Sequence, residues 1–381
     1  MPKPRATLLV PLYEASHLVP DLVASIAAQV AGFDAAAFGP LRILCVDNAS
    51  TDATVTVLHE HLTQHGLADC TDILVNPENL GLAKSLNRGL AAVTTDFLVT
   101  CHADCRFATP GYVTTMVTLL VGDDSIAAAT GVPMLDAAKC SRVDRLYAAS
   151  NLMDLADPGA PRSDEVVDVG FAEGRCDIFR MDAMRRAGFY DTRVRLAGED
   201  QLLAARFVAM GYRVVQHRGL VYFLGLSPQQ DSLRRVIAHQ RRLGQPIVLL
   251  VTRPGVLNGA TGERAGRNRR SRSLLRMLQL ASAGSLALMA VGVFARRLFK
   301  PALMLFALIA ALRQWQMQRA RGVSLTPGDR AMLVALQPVL DLAWATGFAE
   351  GAASYLAHRH APSIAVDPPN GDAVVAVSGE V

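Results

Sequence analysis

Four short apolar runs, separated by polar turn residues and helical patterns, fill the first hundred residues of this chain. That rhythm constrains the fold more than any other feature. ATLLVPLY (6–13) is rich in strand formers and precedes a helical pattern from Leu18 to Val30. LRILCVDNAS (41–50) is a second strand running into turn residues, after which Thr51-Asp52 can cap a helix passing through Leu58 to His65. DILVN (72–76) is a third strand, NLGLAKSLNRGLAAV (79–93) a loop and helix, and DFLVTCHAD (96–104) a fourth strand. Strands alternating with helices at this spacing build βαβ units on a largely parallel sheet. Such sheets bind ligands beyond the carboxyl ends of their strands, where Asp47 and Asp104 both fall. Farther on, 151–168 reads as a mobile loop, EDQLLAARFVAMG (199–211) as an amphipathic helix stopped by Gly211, and YRVVQH as another strand.

The apolar residues are unevenly spread. Hydrophobic residues make up 51% of the 381 and charged residues only 19%, with a mean hydropathy of +0.25. The excess lies between about 273 and 357, which points to membrane contact. MLQLASAGSLALMAVGVFA (277–295) is nineteen residues without a charge, about 28 Å as a helix and close to the hydrocarbon thickness of a bilayer. PALMLFALIAAL (301–312) is short for a span, and 331–347 carries Pro338 and Asp341. From Ser232 to Arg276 there are eleven arginines and one acidic residue, Glu263. A basic run leading into an apolar helix fits anionic lipid better than nucleic acid. Arg296, Arg297 and Lys300, in the turn after 277–295, make either a shallow re-entrant hairpin or an exception to the positive-inside rule. The chain divides into 1–240, a basic linker 241–276, apolar helices 277–357 and a disordered tail 358–381. The apolar run at the start is broken by Pro11 and is no signal peptide. Cysteines 45, 70, 101, 105, 140 and 176 contain no Cys-x-x-Cys pair and read as buried thiols of a cytoplasmic domain.

The fourth strand ends in VTCHADCRF (99–107). His102 and Asp104, two positions apart past a strand end, can reach one divalent ion where the backbone bends. Alone, the triplet is also compatible with an exposed loop. A zinc site using Cys101 and Cys105 is disfavoured, because neighbouring side chains in a strand point to opposite faces.

Taken together, VPLYEASHLVPDLVASIAAQ, VDNASTD (46–52), NPENLGLAKSLNRGL, HAD and GFYDTRVRLAGEDQLLAARFVAMGYRV resemble, in order, the motifs of family-2 glycosyltransferases over about residues 5–225. The resemblance implies a GT-A fold, a Rossmann-like mixed α/β sheet domain, here followed by hydrophobic membrane helices. It implies that Pro11, Tyr13, Glu14 and Asp47 hold the base and ribose of a nucleotide-sugar donor, and that Asn79, Gly81 and Asn87 shape the floor beneath it. Asp104, with His102 in place of the family's first aspartate, would bind Mn²⁺ or Mg²⁺ on the diphosphate, the imidazole favouring Mn²⁺. Asp200 would be the catalytic base, with Glu199 beside it, and direct displacement would invert the anomeric centre. Each assignment has a plainer counterpart. Asp47 is also a good turn former, Asn79 and Gly81 suit a helix N-terminus, and Glu199-Asp200 suit a helix dipole. His239-Gln240-Arg241-Arg242-Leu243 has the spacing of the family's Gln-x-x-Arg-Trp without its Gln and Trp, so Arg242 is a diphosphate contact or one more lipid-facing arginine. The expected enzyme is a glycosyltransferase on the cytoplasmic face of the inner membrane, extending a lipid-linked saccharide for an exported polysaccharide, with no nucleic-acid partner. A polyprenyl-phosphate acceptor and a non-catalytic nucleotide-sugar-binding protein are the alternatives.

Overall fold

The computed structural model describes residues 3–136, 139–151, 155–156, 163–192, 198–225, 232–245, 277–289, 291, 296–317, 325–358 and 375–376. The elements of the first 245 residues are β1 (Ala6–Leu12), α1 (Val19–Ala31), α2 (Ala35–Phe38), β2 (Arg42–Asp47), α3 (Thr54–Gln64), β3 (Thr71–Val75) and α4 (Leu82–Ala92). They continue with β4 (Phe97–Thr100), β5 (Cys105–Phe107), α5 (Tyr112–Gly122), β6 (Ile126–Asp136), α6 (Arg142–Asn151), β7 (Leu155–Ala156) and β8 (Val166–Asp168). The last are β9 (Asp177–Arg180), α7 (Met181–Ala187), α8 (Glu199–Ala209), β10 (Arg213–Leu224) and α9 (Leu233–Gly244). A two-residue β11 (Val375–Ala376) adds to β3.

The sheet runs β11-β3-β2-β1-β4-β9-β6-β10-β5, with β7 on β6 and β8 on β10. β1 to β4 are mutually parallel, as their alternation with helices requires. Beyond β4 the sheet is mixed: β9 is antiparallel to both β4 and β6, and β5 and β8 are antiparallel to β10. These added strands are three or four residues long, too short to show a period, so a largely parallel sheet holds only for the first half. β10 extends through Leu224, well past the YRVVQH stretch.

Every residue of β1 is buried, and its side chains divide by parity between two cores. Leu8, Val10 and Leu12 pack with Val23 of α1, Leu58 of α3 and Met116 of α5. Leu9 packs with Leu86 of α4, Met184 of α7 and Phe207 of α8. Helices therefore cover both faces, which is why these strands read as continuous apolar runs. The N-cap of α3 is Ala53, which makes no side-chain cap bond; Asp52, one residue earlier, accepts the backbone N–H of Thr54 at 3.0 Å.

Three helices follow α9 among the described residues: Met277–Met289, Arg296–Met317 and Pro327–His358. One is long and apolar enough to cross a membrane, over Pro327–Ala353. The sequence points first to 277–295; the helix there is described over Met277–Met289, with 291 also helical, and 290 and 292–295 lie outside the described residues. The basic stretch 246–276, most of the loop within 151–168, and the tail at 359–374 and 377–381 lie outside them as well. Pro338 is accommodated within the long helix. This helix is seated on the sheet domain: Asp329 pairs with Arg142 of α6 at 2.7 Å, Leu333 packs on Leu146, Leu340 on Val236 of α9, and Trp344 on Leu202 of α8. A Cβ on Gly347 or Gly351 would collide with the carbonyls of Arg241 and Gln245, so small residues let α9 approach backbone to backbone. Arg313 and Asp341, both 1% exposed, pair at 3.5 Å between the last two helices. The outer faces stay apolar and exposed, as at Met304, Leu308, Trp315 and Leu342.

Candidate active site

The ends of β1 and β2 are tied together by side chains. Ser50 donates its N–H to Asp47 Oδ2 at 3.0 Å and its hydroxyl to Oδ1 at 2.6 Å. Thr51 donates its N–H and its hydroxyl to Glu14 Oε1, both at 2.8 Å, and the N–H of Glu14 reaches Ser50 Oγ at 3.0 Å. Glu14 and Ala49 hold positive φ of 48° and 60°, a local strain of the kind that gathers at binding sites. Pro11 lies buried opposite Val46, while Tyr13 is 50% exposed at the rim. Asp47 is thus a turn former, its carboxylate already engaged, and it stands at the strand end where a ribose would be met.

A second network lies beside it. Asn48 donates to Asn79 Oδ1 at 2.8 Å and accepts from Asn76 at 2.9 Å. Asn79 Oδ1 also accepts the N–H of Gly81, at the head of α4. Asn87 does something different. Its amide donates to the carbonyl of Tyr190 at 2.9 Å and accepts that residue's N–H at 3.0 Å, a clamp between α4 and the segment before α8.

His102 and Asp104 follow β4. Asp104 Oδ2 accepts from Arg175 Nη1 at 3.0 Å, and the N–H of His102 bonds to the carbonyl of Arg175 at 3.1 Å. Burial alone would raise the Asp104 carboxyl, but Arg175 and then His102 outweigh it and hold it below its ordinary value. Burial lowers the His102 imidazole to about 4, although Asp104 pulls the other way. The ring is therefore neutral at pH 7, and its buried Nε2 has no hydrogen-bond partner among the described residues. In the tautomer protonated at Nδ1, that nitrogen offers a lone pair beside an ionised carboxylate, which suits a divalent cation. Among the described residues no three His, Cys, Asp or Glu side chains converge as a metal-binding group, so an ion here would need oxygen atoms from a ligand. The zinc alternative gains nothing. Cys101, Cys105 and Cys176 are fully buried core thiols, with Cys176 Sγ 3.8 Å from Cys101 Sγ.

On the far side, Gly198 at φ 104° turns the chain into α8, a conformation that favours glycine. Glu199 and Asp200 occupy the first turn, and Asp200 Oδ1 accepts the N–H of Gln201 at 2.8 Å. The helix dipole should favour an ionised Asp200, but the structure reverses that expectation. Burial, then Glu199, with Glu173 and Asp177 adding, push Asp200 well above the ordinary carboxylate range. Burial also raises Glu199, against Arg175. Charge and desolvation override the dipole because they act on the carboxyl itself.

Glu173-Gly174-Arg175 joins the two sides. A Cβ on Gly174, whose φ is 74°, would lie 3.9 Å from Asp200 Cβ, while the next residue holds Asp104. Asp177, fully buried at the start of β9, is raised by burial to about 7, with Glu173 adding to it. The Thr130 hydroxyl and nearby amides moderate this without reaching hydrogen-bond geometry, and both carboxylate oxygens lack a partner. From α9, burial lowers His239 to about 4, Arg242 and Arg175 add to this, and Asp104 opposes it. The His239–Arg242 turn thus lies within electrostatic reach of the Asp104–Arg175 pair. Arg175, Glu173 and Asp177 carry no motif. Only the antiparallel return of β9 alongside β4 brings them to the site, and sequence reasoning had no signal for it.

Residues 7–139 match the model of glycosyl transferase family 2. No curated protein matches the chain in sequence. Among solved structures, the chain is similar to the mannosyltransferase PcManGT from Pyrobaculum calidifontis in complex with GDP-Man and Mn²⁺. The identity is 16%, over 93% of this chain and 88% of that one, with a TM-score of 0.53. It is also similar to S. aureus TarS 1–349 in complex with UDP, at 14% identity over 96% and 95% of the two chains, with a TM-score of 0.43. The strand-end motifs, the matched segment and the first of these folds agree: residues 7–139 carry a glycosyl transferase family 2 segment, and the chain is a glycosyltransferase of GT-A fold.

Proposed function

We propose that this glycosyltransferase moves a sugar from a nucleotide-sugar donor to a lipid-linked saccharide, with inversion, at the cytoplasmic face of the inner membrane, in making an exported glycan. The observation that carries the reading is the bridge Glu173-Gly174-Arg175, which bonds Asp104 through Arg175 and lies beside Asp200 at Gly174. The base and ribose would rest on the ends of β1 and β2, around Pro11, Tyr13, Glu14 and Asp47, over the floor shaped by Asn79 and Gly81 and braced by Asn87. Asp104 and His102 would hold a divalent cation, Mn²⁺ or Mg²⁺, whose chemistry when bound is to neutralise the diphosphate. The complex of PcManGT with GDP-Man and Mn²⁺ supports such a pairing of ligands. Asp200 takes the proton of the acceptor hydroxyl as its oxygen bonds to the anomeric carbon and the bond to the diphosphate breaks on the opposite face. A carboxyl raised above its ordinary range is a better base for a hydroxyl.

Two observations favour the acceptor class. A polyprenyl phosphate is already ionised at neutral pH and needs no base, so a buried Glu199-Asp200 pair suits a hydroxyl acceptor better. The base helix α8 packs through Leu202 on Trp344 of the long apolar helix, which would bring a lipid-borne acceptor to Asp200. A non-catalytic binding protein would have no use for the carboxylate pair. The test is a screen of nucleotide sugars for thermal stabilisation and hydrolysis, with Mn²⁺ and with Mg²⁺. A single donor class should stabilise the protein in a metal-dependent way; no response to any donor with either ion would overturn the reading.

A further inference from the structure

The Asp104–Arg175 pair changes the charge of this site. An Asp-x-Asp pair would present two carboxylates, whereas here the triplet has one, Asp104, and Arg175 sets a cation against it. The guanidinium is placed to use that charge. Its side chain is 33% exposed, Asp104 engages only Nη1, and no other hydrogen bond of this guanidinium forms among the described residues. Its backbone is fixed, since its carbonyl accepts the N–H of His102 and Gly174 sets the turn before it. A planar fork of N–H donors, anchored at one nitrogen and open at the rest, matches two oxygens of a diphosphate.

We propose that Arg175 is a donor-binding residue, which rests on Asp104 while the site is free and contacts the diphosphate of the bound nucleotide. This rests on the nucleotide-sugar reading above. Arg175 and a divalent cation then compete for Asp104 but cooperate on the ligand, so Arg175 lowers affinity for the ion alone and raises affinity for the nucleotide. A residue that served only to satisfy a partly buried carboxylate would lower affinity for the ion but would not raise affinity for the nucleotide.

The opposite signs give the test. UDP and GDP binding by the full-length protein in detergent is measured by calorimetry with Mn²⁺ and with chelator, and Mn²⁺ binding without nucleotide by electron paramagnetic resonance. Arg175→Gln should weaken the better nucleotide about tenfold or more and remove whatever binding persists in chelator. The same variant should bind Mn²⁺ alone several-fold more tightly, because Asp104 is released. Unchanged nucleotide affinity would overturn the proposal, and so would loss of Mn²⁺ and nucleotide together, since Arg175 would then only position Asp104. If Arg175→Gln does not fold, Arg175→Lys decides. It keeps the charge without the fork, and should cost several-fold in nucleotide affinity while leaving Mn²⁺ binding within about twofold; unchanged nucleotide affinity there also overturns the proposal. A wild type that bound neither nucleotide with Mn²⁺ would contradict the nucleotide-sugar reading itself, a result distinct from any effect of the variants.

Discussion

The two halves of the site are built on opposite principles. At the ends of β1 and β2 nearly every polar group is paired: Asp47 with Ser50, Glu14 with Thr51, Asn48 with Asn76 and Asn79. Around α8 and β9 the carboxyls are buried and poorly compensated, with the Asp177 side chain lacking hydrogen-bond partners among the described residues and Asp200 raised by burial and then by its neighbours. A satisfied network costs little to keep and offers a rigid surface to a ligand. Uncompensated carboxylates cost stability, and their use is a shifted proton affinity. On the reading proposed above, the first half holds the donor and the second carries the reaction.

The largest effect should come where the halves meet. Asp104→Asn removes the charged ligand and Arg175's partner together, and should abolish transfer in a metal-supplemented assay. His102→Asp should keep activity and shift its preference towards Mg²⁺, measured as the ratio of rates with the two ions. Full activity in excess chelator would remove the metal from the account.

Next is the pH profile. The base acts only when ionised, so kcat should fall about tenfold per pH unit on the acid limb. Because Asp200 is raised, with Glu199 titrating beside it, that limb should lie above the ordinary carboxylate range. A limb at an ordinary carboxylate value would make the reactive half no different from the binding half.

Asp177 tests the cost directly. Its folded value of about 7 exceeds the ordinary 3.8, so the fold favours the protonated form. That stabilisation is full below the ordinary value and is lost as pH rises through about 7. Asp177→Asn should therefore stabilise the protein on the order of 2–4 kcal/mol at pH 8, and much less at pH 5, in denaturant unfolding. Equal effects at both pH values would count against a buried carboxylate. Asn87→Ala should cost about 2 kcal/mol by the same measurement, from two lost bonds to buried backbone, with little pH dependence.

How much of this was legible depends on distance along the chain. β1 to β4 announce themselves as apolar runs set between α1, α3 and α4, helices long enough to show a period, and Asp47, Asp104 and Asp200 lie at or beside element ends. β9 is four residues and β8 three, so the turn that delivers Arg175 and Asp177 had no local signature. The raised proton affinity of Asp200 follows first from burial, then from Glu199, with Glu173 and Asp177 adding; of these the sequence displays only Glu199, because the others arise in three dimensions. The apolar excess correctly marked the C-terminal helices, but not that Trp344 packs on the base helix.

The division between holding and reacting is tested most directly by one paired measurement: donor dissociation constant and single-turnover transfer rate at saturating donor, for Asp47→Asn and Asp200→Asn against wild type. Asp47→Asn should weaken donor binding and leave the saturated rate nearly unchanged. Asp200→Asn should bind donor as wild type does and lose about 10²–10⁴ in rate. If Asp200→Asn transferred at the wild-type rate, or if both variants changed the same quantity, the assignment of base and binding half would be contradicted.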